Sequence, residues 1–484
     1  MTSTRTGRAV GAAEGETPAL AAVTNRLTSS PSGPLAQGSA DKRVWSIDLV
    51  RLTVVFGVVC VHCMSFLAPP GSVTAGAATM VLHVNREVFI FITACVLVYV
   101  YTRRVAKASV EGRRRWPIGD YWIRRYRLVL APYLTWTMIY FFANSGPNTW
   151  PRFWYDVETG NARFHLYFLL VTMQIYLVLP LLLPLLRITA GHHVLLVAAG
   201  LAVQFWFTAV AHYAPSQHGL IGVWLRNDNE LLFSYVGYVV LGAVIATHLR
   251  EWHAWLRRHN AVVLGVAGFG LGVGLTSYFC DVELRGLSPM VASAVLQPAV
   301  TVEAIALIVG LFALGAWWAP WSTPQGIADV AGAPAGALAR EPISARRRSQ
   351  RRFVAAGSDA SFGIYLVHPL LLQGGMILAN DVGWLYAARN GSGPLVAVVV
   401  MTVVVPTLWL ASWVLTRVFR GTPFSLPLTG RPARMSAGAW LPAQLSWPRS
   451  AERSTERSTE KSPITSRTEA SAMTPSAPRR TACQ

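Results

Sequence analysis

Arg51 and His62 are the residues of this chain whose types and spacing first suggest chemistry. They stand eleven positions apart inside residues 46–70, SIDLVRLTVVFGVVCVHCMSFLAPP. At 100° per residue, that spacing brings both side chains to nearly one face of a helix, roughly 16 Å apart along its axis. The stretch is long enough to cross a bilayer, which takes about 20 residues. Asp48, Arg51 and His62 would then be ionisable groups within a span. A charge near the bilayer centre costs about 2.5–3.5 kcal/mol on insertion scales, so such residues normally face a bundle interior or a wet cavity. Taken singly, Arg51 reads equally well as a snorkelling anchor, and His62 as a polar contact between helices. Sharing a face, they point to a site.

Three further constellations carry reactive or charged side chains. In WIRRYRLVLAPY, Arg124 and Arg127 stand three apart, hence on one side of a helix. Two guanidinium forks there suit phosphate groups with bidentate geometry, although anchoring to anionic lipid is the simpler use. In SFGIYLVHPLLL, Ser361, Tyr365 and His368 fall at i, i+4 and i+7, one polar stripe on an apolar helix. The stripe reads as part of a site or as a hydrogen-bonded packing seam. In RFHLYFLL, His165 opens an apolar run among aromatic neighbours, where interfacial packing is the simpler reading. Glu303 adds a carboxyl inside the apolar stretch 289–318, which is long enough for a tilted or broken helix.

Composition says what must hold these residues. Of 484 residues, 53% are hydrophobic and 13% charged, with 18 Trp and a mean hydropathy of +0.39. A soluble chain of this length would show more charge and interrupted apolar runs. The expected fold class is therefore an all-α polytopic membrane protein of about ten transmembrane helices. Spans are expected near 46–70, 84–101, 128–143, 165–187, 192–211, 230–248, 260–280, 289–318, 359–379 and 394–418. The formal charge of +19 could suggest nucleic acid, but the basic residues concentrate in tails and loops, as the positive-inside rule requires. Loops bearing Arg103, Arg104, Arg124, Arg125 and Arg127, or Arg250, Arg257 and Arg258, are thus expected in the cytoplasm. Those near Asp156, Asp228 and Asp281 are expected outside. Both termini fall inside, in what is expected to be a bacterial plasma membrane.

The five Cys form no disulfide framework; Cys60 and Cys63, though spaced CxxC, sit in an apolar helix as small packing residues rather than a metal or redox site. Residues 1–42 and 421–484 read as disordered cytoplasmic segments, with 319–357 a cytoplasmic linker inside an integral domain spanning 43–420.

In their order and spacing these motifs resemble the membrane acyltransferase-3 family. Arg51 and His62 are similar to its basic residue and His separated by ten positions, and Asp48-Leu-Val-Arg51 to the approach to that Arg. Arg124-Arg-Tyr-Arg127 matches its RxxR loop. His165-Leu-Tyr-Phe168 resembles its His-Leu-aromatic-Phe element, and Ser361 to Pro369 its late Ser-x3-Tyr-Leu-x-His-Pro helix. The resemblance covers about 46–418. One departure is visible: Phe91-Ile-Thr93-Ala94 stands where the family usually has a Phe-x-x-Ser-Gly turn. The resemblance implies an acyltransferase-3-like bundle that moves an acyl group, often acetyl, from a CoA thioester to a hydroxyl of a sugar, a cell-envelope glycan or a secondary metabolite.

On that reading His62 is the general base, or carries the acyl group itself, with Arg51 assisting. Arg124 and Arg127 hold the donor's phosphates, while Asp48, His165, Ser361, Tyr365, His368 and Glu303 support the site or bind substrate. No permanently bound cofactor or metal is expected; acyl-CoA is a co-substrate, and the partners are the acceptor and the bilayer. The competing class is a transporter or flippase for a polar metabolite or lipid-linked sugar, in which Arg51, His62 and Glu303 would line a permeation path. No inverted repeat or matched pair of interrupted helices supports it.

Overall fold

A computed structural model describes residues 44–110, 118–144, 146–319 and 344–433, all helical or connecting, with no strand among them. The leader 1–42, the linker between Pro320 and Pro342 and the tail beyond 433 lie outside the described residues. Helices follow from composition: an apolar chain in lipid must pair its own N–H and C=O groups, and a helix does so within one segment.

α1 (Trp45–Leu67) is buried along most of its length and touches more of the bundle than any neighbour needs for a simple hairpin, packing on elements from both halves of the chain. One long helical stretch follows, α2 (Val73–His83) running on into α3 (Asn85–Val110) through Val84, whose backbone stays helical at φ −62° and ψ −12°. Then come α4 (Ile118–Ala143), the short α5 (Trp150–Thr159), α6 (Tyr167–Ile188), α7 (His193–Tyr213) and α8 (Gly219–Arg226). The pair α9 (Val236–Thr247) and α10 (Leu249–Arg258) is bent by 93° where they meet. α11 (Asn260–Glu283) precedes a one-turn α12 (Pro289–Ala292) and α13 (Pro298–Trp318), so the stretch expected to be tilted or broken is broken, with Pro298 opening the longer part. α14 (Ala345–Asp381) begins inside the segment expected as linker and runs 37 residues. α15 (Trp384–Asn390), α16 (Gly393–Val399) and α17 (Val405–Phe419) complete the bundle, the last two joined by a π-turn at Val400–Val404. The chain then continues past Gly421 into a short cap, α18 (Ser425–Thr429).

Eight helical stretches among the described residues are long and apolar enough to cross a membrane, or up to nine with the bent pair, against about ten expected. The helix left over is α4, 26 residues long, whose arginines and many aromatic residues lower its hydropathy.

The helices alternate in direction, so the bundle has two chemically distinct ends. At the first, where α1 begins, the Trp45 and Trp318 rings lie 6.2 Å apart and Arg351 sits 4.5 Å over Trp45. At the far end, His83 Nδ1 donates to the Ser293 carbonyl at 2.6 Å and Tyr278 Oη donates to the Val73 carbonyl at 2.8 Å. Near Thr93-Ala94 the close helix approach is made from the other side. Gly242 of α9 faces the Phe91 carbonyl, Cys95 N and Ala94 so tightly that a Cβ there would overlap the carbonyl oxygen. Cys60 and Cys63 are free and buried in the core, as packing residues.

Candidate active site

Three histidines from three separate motifs meet in the far half of the bundle. His62, seventeen residues into α1, stacks on His368 of α14 with ring centroids 5.3 Å apart and planes 20° from parallel. His165, in the turn before α6, lies 5.7 Å from His368 and 5.0 Å from the Tyr365 ring. Tyr365 Oη donates to the His165 carbonyl, which ties the turn to α14. Tyr140 of α4 stands 5.4 Å from His165 edge-on, and its hydroxyl donates to the Leu366 carbonyl at 2.7 Å. Phe164 closes against the other face of His62 at 4.5 Å. The helix period explains the convergence: residues 361, 365 and 368 share a face of α14, and that face turns inward.

The nitrogens are arranged for proton handling. His368 Nδ1 lies 3.1 Å from the Ile364 carbonyl, which can only accept, so Nδ1 carries the proton and Nε2 of the neutral ring is an acceptor. That Nε2, and both nitrogens of His165, are buried without a hydrogen-bond partner among the described residues. His62 is half-buried and lines a cavity of about 140 Å³ with His165, Tyr365, Asn85, Arg86 and Tyr167. His368 stands behind His62, outside the lining.

Arg86 is the site residue the sequence analysis missed. Its Nε and Nη2 donate to Glu87 Oε1 at 2.9 and 2.7 Å, and Nη1 reaches Asn229 Oδ1 at 2.8 Å and Tyr167 Oη at 3.4 Å. Its guanidinium also lies 4.9 Å from the Tyr235 ring centroid. The available signal was the run Asn85-Arg86-Glu87 at the head of an apolar helix, since ionisable residues within spans mark functional sites. Beside it, in the loop before the bent pair, burial pushes the Asp228 carboxyl up to about 6, with Arg86 pulling the other way and Glu230 adding to the rise.

The remaining expected residues lie elsewhere. Ser361 is buried, and its hydroxyl donates to the Ser358 carbonyl of its own helix at 2.9 Å. Glu303 is fully buried on α13, with neither carboxyl oxygen hydrogen-bonded among the described residues; it does not line the cavity. Asp48 and Arg51 occupy the first end. Asp48 Oδ1 accepts from Ser358 Oγ at 2.6 Å, and Arg51 has Asp48, Arg431, Tyr176 and Arg125 within electrostatic reach. Arg51 and His62 thus share the inward face of α1 at two levels.

On α4, Arg124 and Arg127 are exposed, whereas Arg125 between them is half-buried. The inward face is fixed by Trp122 Nε1, which donates to the Tyr176 carbonyl at 3.1 Å, and by Tyr126 Oη, which donates to the Met173 carbonyl at 3.0 Å. No group of three or more His, Cys, Asp or Glu among the described residues could hold a metal ion.

A cavity among the helices with His62 and His165 on its wall and His368 packed behind places general-base side chains in the interior of an all-helical bundle with candidate membrane spans. The family model for the acyltransferase 3 family, described as an acyltransferase domain, matches residues 44–413, and the chain belongs to that family. Membership implies acyltransferase activity, with an acyl donor as co-substrate and an acceptor. Among curated proteins and solved structures, none matches the chain.

Proposed function

We propose that the protein transfers an acyl group, acetyl by preference, from a CoA thioester to a hydroxyl of a sugar, a cell-envelope glycan or a secondary metabolite. The observation that carries this reading is the cavity on which His62 opens, with His368 and His165 around it and Arg86 also in its lining. In the reaction, His62 accepts the proton of the acceptor hydroxyl as its oxygen attacks the thioester carbonyl. The new C–O bond forms, the C–S bond breaks, and the proton passes to the departing thiolate. His368, fixed through Nδ1, holds the His62 ring by stacking. Tyr365 and His165 also line the cavity, and its polar residues Asn85, Arg86 and Tyr167 suit an acceptor rich in hydroxyls.

The donor's nucleotide end belongs at the arginine-rich first end, near Arg124, Arg125 and Arg127, and its acyl end at His62. By the positive-inside rule that first end is cytoplasmic, so donor and acceptor approach from opposite sides.

Purified protein incubated with labelled acetyl-CoA tests the reading. Thiol release and label on an added glycan or on the protein are expected. His62→Ala should lower turnover by about 10²–10⁴, the usual worth of a general base, with insertion and expression intact because the replacement is apolar. Full turnover in that variant removes His62 from the mechanism.

A further inference from the structure

His83 is an imidazole of the cavity that the proposed reaction leaves unused. It closes α2 and shares the cavity lining with His62, Ser65, Asn85 and Arg86. Its Nδ1 lies 2.6 Å from the Ser293 carbonyl, which can only accept. Nδ1 therefore carries the proton, and Nε2 of the neutral ring is left as an acceptor. No described residue bonds that Nε2. The segment that fixes the ring is itself stapled. Gln297 Nε2 donates to the Ala292 and Ala294 carbonyls at 3.1 and 2.7 Å, and it lies 3.6 Å from the sulfur of Met80, one turn before His83. Ser293 and Gln297 are both buried, so a packed wall holds the imidazole in place.

Other polar atoms around the cavity have already committed protons to the backbone. Ser65 Oγ donates to the Val61 carbonyl at 2.8 Å, and Asn85 Nδ2 donates to the Leu82 carbonyl at 2.6 Å. Ser65 can offer a ligand only lone pairs, and Asn85 keeps its Oδ1 as an acceptor. Arg86 already donates to Glu87, Asn229 and Tyr167. The free capacity of the lining is therefore mainly that of a hydrogen-bond acceptor. A ligand that only accepts finds few partners there, whereas one with several hydroxyls gains a bond at each. The cavity holds about 140 Å³. A ligand that fills so small a space with one hydroxyl at His62 brings its next hydroxyl within reach of His83.

We propose that His83 Nε2 is the second hydroxyl site of the cavity, so that the acceptor is a polyol with hydroxyls on neighbouring carbons. One hydroxyl gives its proton to His62 and reacts. The adjacent one donates a hydrogen bond to His83 and orients the attack. The inference rests on the acyl transfer proposed above and narrows its acceptor from any hydroxyl to a diol. His83 is then a binding residue that sets specificity, and His62 remains the base.

The test uses the full chain in nanodiscs, with acetyl-CoA as donor and two surrogate acceptors. These are ethylene glycol and n-propanol, in which a methyl replaces the second hydroxyl. The wild type should prefer the glycol about tenfold, the worth of one hydrogen bond, after correction for its two equivalent hydroxyls. His83→Asn keeps a donor for the Ser293 carbonyl but has no acceptor at the Nε2 position. It should lower use of the glycol about tenfold more than use of propanol, and raise the apparent KM for the glycol rather than for acetyl-CoA. His83→Gln, whose longer amide reaches toward the Nε2 position, should recover part of the preference. Equal use of the two alcohols by the wild type, or equal losses on both in His83→Asn, overturns the polyol site. So does thiol release to water with no transfer to either alcohol. A wild type that releases no thiol from acetyl-CoA under any condition instead overturns the reaction proposed above, and the site falls with it.

Discussion

At the scale of single residues, Arg86 and Glu87 show how the site is held. Their side chains are only 10% and 2% exposed, and the arginine is committed on three sides, to Glu87, Asn229 and Tyr167. A buried pair broken on one side leaves an uncompensated charge, at about 3–5 kcal/mol. Arg86→Gln should therefore lower thermal stability in detergent, and adding Glu87→Gln should restore most of it. Stability that fails to return in the double variant would mean that the arginine acts through Asn229 and Tyr167 rather than Glu87. Activity should remain low in both, because the cavity wall has lost its cation. Residue types and spacing marked His62, whereas His165 and His368 entered as supporting residues through the family resemblance. Their meeting was not legible, since ring stacking between α1, α14 and the turn before α6 depends on tertiary packing. The two exposed arginines of α4 illustrate the opposite limit. Spacing showed that Arg124 and Arg127 share a face, and only the Trp122 and Tyr126 bonds to α6 show that this face points outward.

At the scale of elements, the contact between α3 and α9 is set by one missing side chain. Gly242 lets α9 approach the backbone at Phe91 and Cys95, with Ala94 in the place where the family pattern carries glycine. Gly242→Ala should be overpacked by about 1–3 kcal/mol and should lower the unfolding temperature. Gly272, on the exposed side of α11 with nothing within 4 Å, should accept alanine with no loss. Similar effects at the two glycines would show that helix propensity, not the close approach, decides. Sequence could mark Thr93-Ala94 as a departure from the family pattern, but the compensation lies about 150 residues away, beyond any local motif. Helix existence was legible from apolar runs almost throughout. Breaks were less so: the 93° bend after Thr247 separates two segments with no proline or glycine at the joint.

At the scale of the whole molecule, the alternation of helix direction gathers Arg103, Arg104, Arg250, Arg257 and Arg258 at one end and Asp156, Asp228, Asp281 and Glu283 at the other. On the positive-inside rule we propose that the first end is cytoplasmic. A reporter active only in the cytoplasm should light up when fused after Arg104 or Arg352, and stay dark at Gly71 or Asp228. The reverse pattern would invert the donor and acceptor sides.

α1 also imposes a length. Arg51 and His62 are two marks on one rigid rod, about 16 Å apart, and the rod is buried too thoroughly to stretch or slide. On the reaction proposed above, a donor held at the arginine-rich first end and reacting at His62 must carry a tether of matching reach, so the helix would measure its substrate. Tethers that are too short would leave the reactive carbon hanging below the cavity. Acyl groups that are too long would have to fit beyond it, in a space of about 140 Å³ already shared with the acceptor. Selection for a small acyl group would then come from the fixed distance between grip and reaction, without any pocket shaped to the acyl chain itself.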